Sequence, residues 1–389
     1  MPSTPAADPP AARFLSPDAV DAPSGSRAAL HVALCRDGPA QLVENLSTGE
    51  ALLAEVEGRV VPVIVSTHRW GDGAVLSPMR HFVLYPLEIV TAGRLPGVMR
   101  RGLSRLAEWM LAALRFDDVV HLNNRLAGSE PGLELSDHGW QSLIALARAR
   151  FPRHAISVDG LFPEQSATRF AQLERCGALS FPARTVYVFD PHTPRQGKVW
   201  KGTRWKLQRS KRVWEDNFGR CETGPLTSKA ESQQIAELFK AHRLGHSRLN
   251  TRYTARFFSL LAETEEIELT RWRDEKGRID AFGICELRGE WIRFLHVATD
   301  ARVAREKQLL DIVFSRPLTL SMETGRICNL GALNGAYKRH RGAVPKTEYQ
   351  AIFIDHLPLG RRMLWRLIHA YRRWRLARDD GCSTEGRPH

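Results

Sequence analysis

The segment Cys328 to Gly342 (CNLGALNGAYKRHRG) holds the densest chemistry in this sequence. A short apolar strand, Ile327 to Leu330, is expected to run into a turn at Gly331, and the pair Tyr337-Lys338 then opens a basic stretch. A second strand, β-branched and aromatic, is expected from Thr347 to Ile354. Lys338 therefore falls shortly past a strand end, where open α/β sheets keep their sites. Its context predicts an exposed ammonium able to meet a phosphate, a carboxylate or the charge that develops on a reacting carbonyl. Tyr337 beside it is suited to giving a proton to a leaving group or a hydrogen bond to a carbonyl.

Two further side chains are placed for proton transfer. Glu286 is expected on one strand of a three-stranded meander and His296 on the next. Plain alternation along Trp291–Val297 puts His296 on the face of Ile292 and Phe294, opposite Arg293. That apolar company favours a structural histidine, with a catalytic base as the alternative. Cys328 reads as a buried thiol rather than an acylated nucleophile. His68, His81 and His121 are too dispersed to define a site, no Ser-His-Asp order stands out, and no metal-ligand spacing recurs, so no metal is expected.

The elements around these residues carry an uneven charge. The formal net charge is +13, which points to an anionic partner: nucleic acid, an acidic membrane, or a phosphate-bearing donor. One cluster runs from Arg195 to Arg212 and includes Lys198, Lys201, Arg204, Lys206, Arg209 and Lys211 without an acid. Lys201, Arg204 and Arg212 fall near one face at helical spacing, interleaved with Trp200, Trp205 and Trp214. The other cluster, Arg361 to Arg378, carries an apolar stripe of Leu364, Leu367, Ile368, Tyr371 and Trp374. Such a helix either docks on the core with its arginines in water or lies on an acidic membrane surface.

A chain of 389 residues is long for one core and implies two domains. The expected division is a disordered tail at 1–26, an N-terminal domain at 27–190, a linker at 191–197, a C-terminal domain at 198–378 and a disordered tail at 379–389. In the first half, strands are expected at Arg59–Ser66 (an edge strand, given Pro62), 74–85, Val119–Leu122, Ala155–Val158 and Thr185–Asp190. Helices are expected at Val98–Leu114, Asp137–Phe151 (capped by Ser136 or Asp137) and Pro163–Arg175. In the second half, helices at Lys229–Leu244 and Thr254–Leu261 precede a meander of Ile267–Trp272, Ile279–Leu287 and Glu290–Val297. A helical stretch at Ala304–Glu323, broken at Pro317, leads back to the Cys328 segment. The N-terminal residues lack the basic start and apolar core of a secretory signal, and no apolar run is long enough to span a bilayer. The six cysteines are scattered without a CxxC pair, as expected of reduced thiols in a cytoplasmic protein.

The strand ending in Gly331, the Tyr337-Lys338 pair, the following Gly342 and the basic run from Lys198 to Arg212 together resemble the FemAB-like branch of the GNAT acyltransferase superfamily over roughly residues 195–356. The resemblance implies an α/β fold of two tandem GNAT-like domains, each a mixed sheet flanked by helices. It also implies transfer of an acyl or aminoacyl group from an acyl-CoA thioester or an aminoacyl-tRNA to an amine. Lys338, Tyr337, Glu286 and His296 are then the catalytic candidates, and Lys201, Arg204, Lys206 and Gly331 the donor- or substrate-binding ones. The segment after the meander, Ala298 to Lys307, has no glycine, although a coenzyme A grip opens with a glycine-rich loop whose N–H groups take the pyrophosphate. Arg69 to Gly73 offers only two glycines and reads as a hairpin turn. The alternative to an enzyme is a basic nucleic-acid-binding protein, or a protein held at the inner face of a membrane by its final helix.

Overall fold

The computed structural model describes residues 12–382 apart from 24, 47–48, 68–73, 92–93, 125, 127–132, 194–197, 245–246 and 248. The Arg69–Gly73 turn and part of the expected linker lie outside the described residues.

The chain builds one pattern twice. The first unit runs β1 (Arg13–Leu15), α1 (Arg27–Asp37), α2 (Pro39–Leu42), β2 (Glu50–Val56) and β3 (Arg59–Ser66). Two extra helices follow, α3 (Tyr85–Thr91) and α4 (Gly97–Ala113). The unit then closes with β4 (Val119–Leu122), α5 (Asp137–Arg150), β5 (Ala155–Leu161), α6 (Pro163–Arg175) and β6 (Leu179–Phe189). A connecting helix, α7 (Lys198–Asn217), leads to the second unit. That unit runs β7 (Cys221–Thr223), α8 (Lys229–Leu244), α9 (Ala255–Ala262), β8 (Ile267–Arg273), β9 (Ile279–Arg288) and β10 (Trp291–Thr299). It ends with α10 (Leu309–Thr324), β11 (Ile327–Asn329), α11 (Gly335–Arg339) and β12 (Val344–Phe353), after which α12 (Leu359–Cys382) is appended. Helix starts follow local chemistry: the hydroxyls of Ser26, Ser136 and Thr254 accept from Ala29, Gly139 and Phe257 N–H groups.

Among the described residues the strands form one sheet in the order β1-β2-β3-β4-β5-β12-β6-β11-β10-β9-β8-β7. Exchanging each strand with its counterpart six places on reproduces the same order, so the sheet has an approximate two-fold axis. The central strands are swapped: β12 pairs with β5 of the first unit, and β6 pairs with β11 of the second. Each unit holds one parallel pair, β4 with β5 and β10 with β11. The architecture is thus the expected α/β class, two units of one pattern fused through exchanged strands into a continuous mixed sheet flanked by helices.

Helices cover both faces. Residues of α1, α2, α8 and α9 (Leu30, Leu42, Phe239, Phe258) share one cluster with Ile64, Phe282 and Ile284 of the sheet. Trp140 and Leu143 of α5 pack on Val63, Val120 and Phe353, while Leu207 and Trp214 of α7 pack with Val313 and Phe314 of α10 on Cys285 and Phe294. Trp365 and Ile368 of α12 join Leu111 of α4, Phe82, Val119 and Phe181.

Several expectations are corrected. Residues 74–85 are helical, with an Ala74–Leu76 3₁₀ turn and a π-turn at Arg80–Leu84, although their apolar run reads as a strand; Asp117 takes the Met79 N–H and the Ser77 hydroxyl, which fixes the turn. Pro62 lies in an interior strand. Its carbonyl accepts from Asn123 N, so its missing N–H faces the side where β4 has ended and no ladder bond is lost. Pro317 sits inside α10 without ending it, because burial between α7 and the sheet outweighs the missing bond. Order begins within the expected N-terminal tail, since Arg13–Leu15 pairs with β2. On α4 only Leu111 of the expected apolar face is buried; Leu103, Leu106, Met110 and Leu114 face solvent.

Candidate functional site

The two parallel pairs open toward the same level of the sheet. In the first unit the last paired residues are Leu122 and Val158, and Ala351 of β12 stands opposite Val158. In the second unit they are Arg293 and Asn329, and Val188 of β6 stands opposite Asn329. Between Val188 and Ala351 on the swapped strands lies the cross-strand pair Arg184–Glu348, which therefore sits on the approximate two-fold axis.

Three β-bulges aim polar side chains at this region. β5 carries an extra residue between Val158 and Leu161, at Asp159-Gly160, where Gly160 takes a φ of 67°. β6 carries one between Pro182 and Arg184, and β10 one between Phe294 and His296. The β10 bulge corrects the expected placement of His296. After it, His296 stands opposite Ile284 rather than continuing the face of Phe294, and it joins the α8–α9 side of the sheet.

Arg184 donates through Nε to Glu348 Oε1 at 2.8 Å and through a terminal nitrogen to Oε2 at 3.2 Å, a bidentate pair. Glu348 is nearly buried, while 46% of the Arg184 side chain remains open to solvent. Glu348 raises the Arg184 pKa above its ordinary value, with Tyr253 and Asp159 adding to the effect. Asp159 accepts from His121 Nδ1 at 3.0 Å, from Asn124 Nδ2 at 2.7 Å and from the Ser157 hydroxyl. Burial opposes charge on Asp159, but His121 and these hydrogen bonds outweigh it and hold the carboxyl below its usual range. His121 Nε2 faces the Leu76 carbonyl at 3.3 Å and Ser66 Oγ at 3.4 Å. The structure thus lines up Ser66, His121 and Asp159. The Ser66 hydroxyl is buried and donates to backbone carbonyls of Asp117 and Val119, so the row positions Asp159 rather than supplying a nucleophile. His81, which the sequence separates widely from these groups, lies in their field. Burial lowers it to about 4, and Arg184 and Arg372 add to the shift.

The opposite wall comes from the second unit. His296 is enclosed by Phe239, Tyr253, Phe257 and Phe258, with ring centroids 5.0–6.0 Å away. Neither ring nitrogen has a hydrogen-bond partner, and burial lowers its pKa to about 3, with Arg243 contributing. Glu286 is buried and accepts from Arg293 across the strands at 3.1 Å. Tyr253 donates to the Leu126 carbonyl of the first unit at 2.6 Å, tying the two units together over the sheet.

Lys338 is buried, 2% exposed, which corrects the expected solvent-facing ammonium. Its Nζ donates to the carbonyls of Leu330, Gly331 and Ala332 at 2.7, 3.0 and 2.7 Å. Those three bonds hold the turn after β11, where Gly331, Leu333 and Asn334 all have positive φ. Burial brings the Lys338 pKa down to about 7, helped by Arg184, while the carbonyl cage favours the ammonium. Tyr337 donates to Asp311 at 2.6 Å and packs on Phe314 and Arg341 on the α10 side, away from His296 and Glu286. Among the basic candidates, Arg204 is exposed on α7, and Lys206 lies close enough to His340 to be the main cause of that histidine's lowered pKa. α7 therefore borders the end of α11, where Arg341 also donates to the Ser210 hydroxyl at 3.3 Å. The side chain of Lys201 lies outside the described residues.

The residues at the axis escaped the sequence reading. Their signal was a charge in the middle of an apolar central strand: Arg184 in FPARTVYVF and Glu348 in TEYQAIF.

The segment after β10 disfavours a phosphate grip. Asp300 accepts from the backbone N–H of Arg302 at 3.0 Å and from its guanidinium, and lies 3.4 Å from Arg278. Hydrogen bonds from Arg302 hold its pKa at about 2, so an anion placed here would meet a carboxylate. No grouping of metal-ligating side chains occurs among the described residues.

No family model and no curated protein matches this chain. Among solved structures it is similar to FemX, with a TM-score of 0.44 and 10% identity over 83% of this chain and 90% of that one. It is also similar to a tandem GNAT protein from the clavulanic acid biosynthesis pathway, at 0.37 and 14% over 88% and 91%, and to L-PGS from Bacillus licheniformis, at 0.39 and 16% over 59% and 77%.

Proposed function

We propose that this protein transfers an acyl or aminoacyl group from an activated donor to an amine, with the reaction at the two-fold axis of the sheet. The observation that carries the reading is the Arg184–Glu348 pair, a guanidinium half open to solvent between two converging strand openings. Arg184 is fit to meet the oxyanion that forms when an amine attacks an ester or thioester carbonyl. Glu348 and Asp159 are fit to receive an ammonium-bearing acceptor and to orient it. The acceptor's ammonium first releases one proton to solvent. The neutral amine then attacks and forms the C–N bond, the tetrahedral intermediate collapses with cleavage of the donor's C–O or C–S bond, and the second amine proton passes to the departing alcohol or thiol. Lys338 and Gly331 shape the turn beside the site. Glu286 anchors Arg293, His296 forms an apolar wall, and Tyr337 fixes α11 to α10; we assign these five residues positioning parts.

Aminoacyl-tRNA is the preferred donor. Asp300 occupies the place of a pyrophosphate loop, whereas Arg204, Lys206, Arg209, Lys211 and Arg212 of α7 suit a polyanion. Trp205, exposed at 57% with Arg209 5.8 Å above its ring, is fit to stack on a base. The same observation favours the second reading, a nucleic-acid binder without turnover. Incubation with labelled aminoacyl-tRNA or acyl-CoA and a panel of amines separates the readings. Transfer abolished by Arg184→Met supports the enzyme, and tRNA binding with no transfer to any amine supports the binder. An Arg204→Ala/Lys206→Ala protein is expected to bind tRNA more weakly and with a shallower salt dependence.

A further inference from the structure

Thirteen of the eighteen large apolar side chains exposed among the described residues lie between Val90 and Leu114 or on α12. On α4 they are Val98, Met99, Leu103, Leu106, Trp109 and Met110; on α12 they are Leu359, Met363, Leu367, Tyr371 and Trp374. Each set falls on one stripe at helical spacing. The expected α12 stripe is thereby split. Trp365 and Ile368 dock on the core, while Leu367, Tyr371 and Trp374, expected beside Ile368, face outward.

The two helices are neighbours. Arg361 in the first turn of α12 donates to the carbonyl of Arg115, just past the end of α4, at 2.7 Å. Trp365 packs on Phe116 with ring centroids 4.2 Å apart. Both helices also stand outside the duplicated pattern. α4 interrupts the first unit between β3 and β4, where the second unit has a direct β9–β10 hairpin, and α12 follows the last strand of the second. The repeated sheet needs neither, so their outward faces are not explained by the core.

The charge around the stripes is mainly positive, with Asp355, 3.9 Å from Arg366, as the acid at its border. Arg101 and Arg105 are exposed beside the α4 stripe, and Arg366 and Arg373 beside that of α12. α12 carries no acid from Leu359 to Arg378, and the one acid of α4, Glu108, accepts from Arg80 at 2.7 Å on the inner side. A second copy of the chain laid against this surface would bring arginines against arginines. A bilayer of anionic lipid instead offers phosphates to the arginines, an apolar interior to the stripes, and an interfacial zone suited to Trp109, Tyr371 and Trp374.

We propose that α4 and α12 together form a lipid-docking surface that rests the protein on an anionic membrane, both helices lying in the interface and neither crossing it. The proposal stands independently of the acyl-transfer reading.

Vesicle flotation of the full chain tests it, with phosphatidylcholine alone against phosphatidylcholine containing phosphatidylglycerol. Wild-type protein is expected to float with the anionic vesicles and to release as salt rises. Leu106→Glu/Trp109→Glu on α4 and Leu367→Glu/Trp374→Glu on α12 are each expected to weaken binding at least tenfold. Far-ultraviolet circular dichroism should match wild type, since these side chains face solvent. Arg101→Gln/Arg105→Gln, which leaves the apolar stripe intact, is expected to weaken binding to anionic vesicles alone. Absence of binding to anionic vesicles overturns the proposal, as does binding that neither glutamate pair changes. A dimer in light scattering that both pairs convert to monomer, with no vesicle binding, assigns the surface to self-association and also overturns it.

Discussion

Arg184 and Glu348 come from strands that are 164 residues apart in sequence, yet they form a bidentate pair on the approximate two-fold axis of a duplicated sheet. Neither unit builds this pair alone. β6 of the first unit supplies the guanidinium, β12 of the second supplies the carboxylate, and the exchange of those strands puts them side by side. Arg184→Met is expected to lower acyl transfer by roughly a hundred- to a thousandfold, the range for loss of one charge-stabilising donor. Arg184→Glu combined with Glu348→Arg should recover thermal stability relative to either single change but not activity, because the pair is restored with its open group reversed. A swapped variant that regains turnover would show that the site lies elsewhere.

Lys338→Met is expected to be destabilising, because three carbonyls of a tight turn lose one ammonium. Charged hydrogen bonds contribute about 1.5–3 kcal/mol each, so a loss of about 3 kcal/mol or more should appear in denaturant unfolding. The folded pKa of about 7 lies below the ordinary lysine value. The unfolded state therefore binds the extra proton between those limits, and this group's contribution makes stability rise with pH from about 7 upward. The methionine variant should lose that part of the slope. Wild-type stability in the variant would mean that the turn is held by other contacts.

His296 and His81 set an acid limit. Their folded pKa values, about 3 and about 4, lie below the ordinary 6.5. Both are neutral when folded at neutral pH, and the unfolded chain takes up their protons first as pH falls. Stability should fall from about pH 6.5 downward, approaching about 1.4 kcal/mol per pH unit for each histidine. His296→Phe keeps a ring in the aromatic cage and removes two unpartnered nitrogens. It should hold or raise the thermal midpoint at pH 7 and flatten the acid slope, as measured by calorimetry across pH 4–8.

The strand exchange predicts how fragments behave. Residues 1–193 and 198–389, co-expressed as separate chains, should assemble into one complex through β5–β12–β6–β11, while each expressed alone should be poorly soluble, having lost its partner for a central strand. Two soluble monomeric fragments would show that the units fold independently.

Local sequence determined what short-range physics can determine. β3, α6 and α8 occupy the expected spans because apolar period, a proline at the first helical position or a two-residue turn each specify structure within a few neighbours. The basic face of α7, the burial of Cys328 and the strand–turn–Tyr–Lys order were legible for the same reason. Tertiary structure decided everything that depends on a strand's neighbours. Bulges at Asp159-Gly160, Ala183 and Leu295 shift register by one residue and so reverse which face a side chain takes, which alternation cannot foresee. Lys338 read as exposed because nothing local reveals three carbonyls turned inward from Leu330 to Ala332. The duplication left no visible trace in the residues. It lives in backbone pairing, and pairing is satisfied by N–H and C=O groups that every residue carries alike.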